Sequence, residues 1–216
     1  MNTDPNVDSQ LFEAWQKGDR QAGQRLFERH FESVYRFFEN KVYGDVSDLV
    51  QRTFIGCIEA APRFRGASSF RTFLFAIARN ELYGHYRNKK RDEKLDFGVS
   101  SAVDLSPGLS SMARKVTERA ALGEAILSLP LDLQVTLELH YWEGLSGPEM
   151  AEILDVPEGT VRSRLRRGLE RLRDGVMASP VAGLFPQLGE DLDSWAGKLR
   201  DARLGISCGF GGIPYG

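Results

Sequence analysis

The chain has 216 residues, 42% hydrophobic and 27% charged, with a formal net charge of −2. That is an ordinary globular composition, which excludes a wholly disordered or fibrous chain. Charges interrupt every apolar run before it reaches the roughly 18 residues of a membrane-spanning helix. The polar, acidic residues 1–8 do not read as a secretory leader, and Cys57 and Cys208 are too few for a disulfide framework and lack metal-ligand spacing. A reduced, cytosolic chain is expected, with one domain or two small ones and no metal or cofactor.

In chain order, Leu11, Phe12 and Trp15, then Leu26, Phe27, Phe31, Val34, Phe38 and Val42, recur at three- and four-residue steps. This spacing predicts helices that bury one stripe. Lys17-Gly18-Asp19 interrupts the stripe and marks a bend or a helix junction. A helix through 48–58 follows, with Ser47 as its expected N-cap and Pro62 beyond its end. Another starts near Ser68 or Ser69 and continues to about Arg91. No β-branched alternation occurs, so no strand is expected.

Residues 62–91 hold eight Arg and Lys against the single acid Glu81. Phe64, Phe70, Phe73, Phe75, Tyr83 and Tyr86 are interleaved with them. Aromatic rings among cations suit single-stranded nucleic acid, whose unstacked bases gain roughly 1–3 kcal/mol each on a ring while cations hold the backbone. Asn80 is suited to reading the edge of an extruded base. Some of these phenylalanines, with Leu74, Ile77 and Ala78, belong to the core on the same pattern.

Between Asp92 and Met112 the sequence turns to Ser, Gly, Pro and Asp, a linker composition. Helix resumes near Thr117 and stops at Pro130, and a further helix covers 131–142. Two helix starts follow: Ser146-Gly-Pro-Glu149 is a capping box, and Asp155-Val-Pro-Glu158 repeats it with Asp as the cap. They predict a short helix over 147–154, a tight turn and a longer helix from about Pro157 to Arg173. On the second, Val161, Leu165, Leu169 and Leu172 form an apolar stripe, and Arg162, Ser163, Arg166 and Arg167 point away from it. A helix-turn-helix with an Arg-rich outer face suits the major groove, where Arg bonds guanine in a bidentate manner.

After Gly175 the chain is glycine-rich, with one amphipathic run at 191–204 carrying Leu192, Trp195, Leu199 and Leu204. The histidines His30, His85 and His140 are scattered, and no nucleotide-binding glycine loop appears. No catalytic residue is assigned and an enzyme is not expected.

Two motif sets carry a family resemblance. Asp48-Leu-Val-Gln51 with Phe54, Phe64-Arg-Gly66, Ser69-Phe-Arg-Thr-Phe-Leu-Phe-Ala-Ile-Ala-Arg-Asn80 and Tyr86-Arg-Asn-Lys-Lys-Arg91 resemble the region-two domain of bacterial RNA polymerase sigma factors. Leu129-Pro130, His140-Tyr-Trp-Glu-Gly-Leu-Ser146, Glu149-Met-Ala-Glu-Ile-Leu154 and Val156-Pro-Glu-Gly-Thr-Val-Arg-Ser-Arg-Leu-Arg-Arg167 resemble their region-four domain. With only these two, the chain resembles the extracytoplasmic-function (ECF) group.

The resemblance implies an all-α protein of two small helical domains joined by a flexible linker. Region two falls at 8–92, the linker at 93–115 and region four at 116–176; the glycine-rich extension at 177–216, read as regulatory, lies outside the two-domain pattern. It implies as partners core RNA polymerase (the clamp helices of the largest subunit and the flap), promoter DNA and an anti-sigma factor or other regulator. Asp48, Leu49, Gln51 and Phe54 would dock on the clamp helices. Phe64, Arg65, Phe73 and Asn80 would capture a base flipped from the minus-ten element, and Tyr83, Tyr86, Arg87, Lys89 and Lys90 would contact the melted strand and its duplex edge. Arg162, Ser163, Arg164, Arg166 and Arg167 would read the minus-thirty-five element. The alternative from the residues alone is a stand-alone helix-turn-helix regulator with an N-terminal signal-binding or dimerisation domain. Three features depart from the family pattern: Arg52 in place of Glu, Phe73 in place of Trp, and the tail itself.

Overall fold

A computed structural model describes residues 5–39, 41–42, 44–64, 66, 68–92 and 125–178, without the side chains of 90–92. The helices are α1 (Pro5–Gln16), α2 (Arg20–Glu39), α3 (Ser47–Ala60), α4 (Phe70–Asp92), α5 (Leu131–Tyr141), α6 (Gly147–Leu154) and α7 (Glu158–Met177), with a 3-10 turn at Ala61–Arg63. No strand occurs among the described residues, so the fold is all-α. The linker, residues 117–124 of the next expected helix, and the tail with its amphipathic run lie outside the described residues.

The chain divides into two compact units, Met1–Val99 with Leu145–Arg162, and Ser100–Gly144 with Ser163–Gly216. In the first, α1 lies on α2, α3 on α4, and α6 also packs on α4. Its core is Phe12, Leu26, Val34, Phe37, Phe38, Leu49, Val50, Leu74, Phe75, Ala78 and Leu82. Cys57 is buried among these residues, and burial pushes its thiol up to about 12, so it packs as a small apolar group.

Helix starts follow side-chain chemistry. The interruption at 17–19 is a helix junction: Gly18 takes φ +99, and Asp19 Oδ1 accepts the backbone N–H groups of Gln21 and Ala22 at 2.9 and 3.1 Å. Ser69 Oγ caps α4 by accepting from Thr72 N at 3.1 Å.

Three expectations are corrected. Ser47 does not cap α3 but begins it; its N–H donates to Asp45 Oδ1 at 2.8 Å. A hydrogen bond from the Ser47 side chain, and after it this backbone bond, hold the Asp45 carboxyl below its ordinary value. Asp155 does not repeat the Ser146 cap, because it ends α6 in the left-handed conformation at φ +53. There its N–H reaches the carbonyls of Ala151 and Glu152, a role Asp tolerates because its short side chain costs little at positive φ. Phe31 does not join the buried stripe of α2 but is 47% exposed, while Phe37 fills the core.

The second unit is built on α5 and the later turns of α7. Leu133, Val135, Leu137 and Leu139 are buried, as are Leu169, Leu172 and Val176. Gly168 allows the close approach, since a Cβ there would stand 3.1 Å from Leu137. α7 runs beyond the expected Arg173 to Met177.

Candidate nucleic-acid interface

The first cluster forms where the 3-10 turn meets α4. The Phe64 and Phe73 rings lie 4.6 Å apart, both half-buried. Phe12 of α1 supports them, edge-on to Phe64 at 5.1 Å and tilted against Phe70 at 5.4 Å. This packing leaves part of each ring open beside a basic helix. Arg65 lies outside the described residues.

Further along α4, Asn80 is exposed and its Oδ1 accepts from Arg79 Nη1 at 2.9 Å. The Arg79 guanidinium also lies 4.8 Å from the Tyr83 ring centre and donates from Nη2 to the Leu154 carbonyl of α6 at 3.0 Å. Arg79 therefore orients both the amide and the ring beside it. Tyr86 is half-buried, its hydroxyl donates to the Lys41 carbonyl, and burial raises its phenol. Arg87 is exposed and Lys89 half-buried, whereas the Lys90 side chain lies outside the described residues.

On α3, Asp48 and Gln51 face solvent, Phe54 is half-buried, and Leu49 turns into the core. Asp48 pairs with Arg52 at 2.8 Å one turn on, so the basic substitution at 52 neutralises its own neighbour. Phe54 tilts against Phe27 at 4.9 Å and stacks with Phe31 at 6.3 Å. Phe31, Ile55 and Ile58 stand 47%, 44% and 51% exposed, an apolar face the motif reading missed. On neighbouring α4, burial, then Lys89 and Arg52, lower His85, against an opposing pull from Asp48.

On α7, the Arg162 and Arg166 side chains are each 73% exposed, with loose one-turn pairings to Glu158 at 3.7 Å and Glu170 at 3.3 Å. Arg167 is exposed and Ser163 half-buried, and Arg167 Nε reaches the Ser163 carbonyl at 3.3 Å. Arg164 differs: only 20% exposed, it pairs with Asp132 of α5 at 3.4 Å. The stripe expectation holds at Val161, Leu169 and Leu172, which are buried, and less fully at half-buried Leu165. The Ser146–Glu149 capping box ahead of α6 forms as expected, with Ser146 N donating to Glu149 Oε2 at 2.8 Å.

The sigma-70 region 2 family model matches residues 26–92, and the sigma-70 region 4 model matches 119–172. ECF RNA polymerase sigma-E factors of Salmonella typhimurium (strain LT2) and Escherichia coli (strain K12) are each 35% identical over 180 residues. Each alignment covers 79% of this chain and 94% of the relative. The Haemophilus influenzae sigma-E factor is 32% identical over 181 residues, covering 79% and 95%. The chain belongs to the ECF sigma factors.

Among solved structures, CnrH in complex with the cytosolic domain of CnrY matches with TM-score 0.60 at 23% identity, over 80% of this chain and 99% of that one. The sigma factor RpoE in complex with the anti-sigma factor NepR from Bartonella quintana matches with TM-score 0.57 at 22% identity, over 72% and 97%. Both share the helical fold. The chain's function is that of an ECF sigma factor in transcription initiation. A stand-alone helix-turn-helix regulator is set aside, because region two is matched as well as region four. Among the described residues no helix is long and apolar enough to cross a membrane.

Proposed function

We propose that this sigma factor binds core RNA polymerase in the cytoplasm and brings it to promoters, reading duplex and melted DNA with separate surfaces. Residues 8–92 grip the clamp helices and handle the minus-ten element, 93–115 thread the polymerase cleft, 116–176 read the minus-thirty-five element and meet the flap, and 177–216 regulate. The role is non-enzymatic, since the bond-making chemistry belongs to the polymerase.

On α3, Asp48, Gln51 and Phe54 contact the clamp, with Leu49 holding the helix from inside. Phe64 and Phe73 sandwich or stack a base flipped from the non-template strand, Asn80 reads its edge, and Arg65 holds its backbone. Tyr83, Arg87, Lys89 and Lys90 follow the strand and its duplex edge, while Tyr86 stabilises the fold of α4 through its bond to the Lys41 carbonyl. Arg162, Arg166 and Arg167 read or clamp the minus-thirty-five element with Ser163, and Arg164 positions α7 through Asp132. An anti-sigma factor is the proposed regulator, supported by the partner of RpoE in its solved complex.

The observation that carries this reading is the open aromatic pair Phe64–Phe73 beside a basic helix, in a chain that also presents exposed Arg162 and Arg166 on a separate helix. Stacking suits unpaired bases and Arg suits the major groove. The test is run-off transcription from a linear promoter library with purified bacterial core polymerase. Start sites that appear only when this chain is added are expected. Absence of stimulation, together with failure to co-elute with core on a sizing column, overturns the proposal.

A further inference from the structure

Gln16 is the last residue of α1 and lies at the surface, yet its side chain reaches across to the loop that carries Phe64. Its Nε2 donates to the Ala61 carbonyl at 3.0 Å and to the Phe64 carbonyl at 3.2 Å. A Gln amide carries two N–H donors on one nitrogen, and here both go to the backbone. The two acceptors are the first and last carbonyls of the turn, whose ends are also joined by Phe64 N–H donating to Ala61 O at 3.2 Å.

Among the described residues the turn is the last regular structure before α4. Phe64 leaves it extended, at φ −73 and ψ 118, and Gly66 follows at φ +71. A carbonyl held at Phe64 fixes that residue's ψ, and with it the backbone on which the Phe64 ring stands. The ring of Phe64 is held separately, by Phe12 and Phe73. Gln16 thus governs the backbone of the loop without touching the stacking surface.

We propose that Gln16 is a positioning residue for base capture, clipping both ends of the 61–64 turn so that Phe64 is presented to the flipped base. The inference rests on the reading of Phe64, Phe73 and Asn80 as the capture pocket. Gln16→Glu is the sharpest probe, because it keeps shape but sets a carboxylate against two carbonyl oxygens. Gln16→Ala removes the donors without adding repulsion. Being exposed, either change spares the core.

The experiment uses full-length chain with core polymerase on a promoter recovered from the run-off library. It measures closed-complex affinity, the rate at which thymines become reactive to permanganate, and the preference among the four bases at the captured position. Phe64→Ala and Asn80→Ala serve as controls for the pocket. Gln16→Glu is expected to slow opening about ten-fold and to flatten the base preference, since small misplacements of a positioning group carry costs of this order. Closed-complex affinity and thermal melting should stay within about two-fold and about 2 °C of wild type, the range of an ordinary surface substitution. If the controls slow opening while both Gln16 variants behave as wild type, the positioning role is overturned and the pocket stands. If closed and open complexes weaken together with melting, Gln16 is structural only. If the controls have no effect on opening, the pocket fails and the inference with it.

Discussion

The Asp8 carboxylate lies 2.8 Å from Nε2 of His30 and 2.9 Å from Nε of Arg29, tying the first turn of α1 to the middle of α2. Both Asp8 and His30 are buried. Burial alone would raise the Asp8 carboxyl, but the hydrogen bond and charge of His30, followed by those of Arg29, outweigh it and hold it below its ordinary value of 3.8. A carboxyl depressed in the folded state adds stability that is present above the unfolded value and lost as pH falls through the folded one. Asp8→Ala should therefore cost about 2–3 kcal/mol at pH 7, toward the lower end for breaking a buried pair because Arg29 remains partly solvated. The melting difference between wild type and variant should begin to shrink only below about pH 4 and close as pH falls through the folded value beneath it. Equal melting at pH 7 would contradict the assignment.

Gly23 sits inside α2 against Trp15, where an added Cβ would come within 2.6 Å of the indole. Gly→Ala inside a helix normally gains about 1 kcal/mol. Here the ring must move, and overpacking costs about 1–3 kcal/mol. Gly23→Ala should lower the melting temperature; a rise would show that Trp15 relaxes freely.

The arginines of α7 should separate into two classes. Arg162→Ala and Arg166→Ala, at exposed positions, should each cost about 1–3 kcal/mol in binding the minus-thirty-five element, with relaxed preference where a base contact is lost. Arg164→Ala, which breaks the pair with Asp132, should instead reduce stability with sequence preference intact. Competition binding of the holoenzyme to single-base variants of the element, beside thermal melts, separates the classes.

Tyr86 offers a further separation. Tyr86→Phe keeps the ring and loses the hydroxyl bond to the Lys41 carbonyl, so stability should fall by about 0.5–1.5 kcal/mol while promoter melting is kept. Tyr83→Ala should do the reverse, slowing strand separation with little effect on stability. Permanganate footprints and urea unfolding on the same preparations check both. A Tyr86→Phe variant as stable as wild type would return that residue to the strand-contact set.

The sequence by itself determined what depends on neighbours within a turn or two. The break at 17–19, the start of α4 near Ser68 or Ser69, the stop at Pro130 and the Ser146–Glu149 capping box all rest on local backbone and capping chemistry. Those residues encode their roles within reach of their own side chains. So do the two basic segments, because charge counts need no fold, and the paired motif sets that marked the family.

Tertiary structure decided what depends on which helix lies opposite. Phe31 and Phe37 are both compatible with an apolar stripe on α2, and only the positions of α3 and α4 make one a surface residue and the other core. Periodicity fixes the angle around a helix but not the width of the face its neighbours cover. For the same reason Leu49 turned inward from a motif read as a docking surface, and Arg164, which the resemblance gave to the minus-thirty-five element, pairs with Asp132. The bonds from Tyr86 to Lys41 and from Gln16 to Ala61 and Phe64 span some 45 residues or more of chain. Contacts at such separation leave no local pattern, because they exist only once packing brings the helices together.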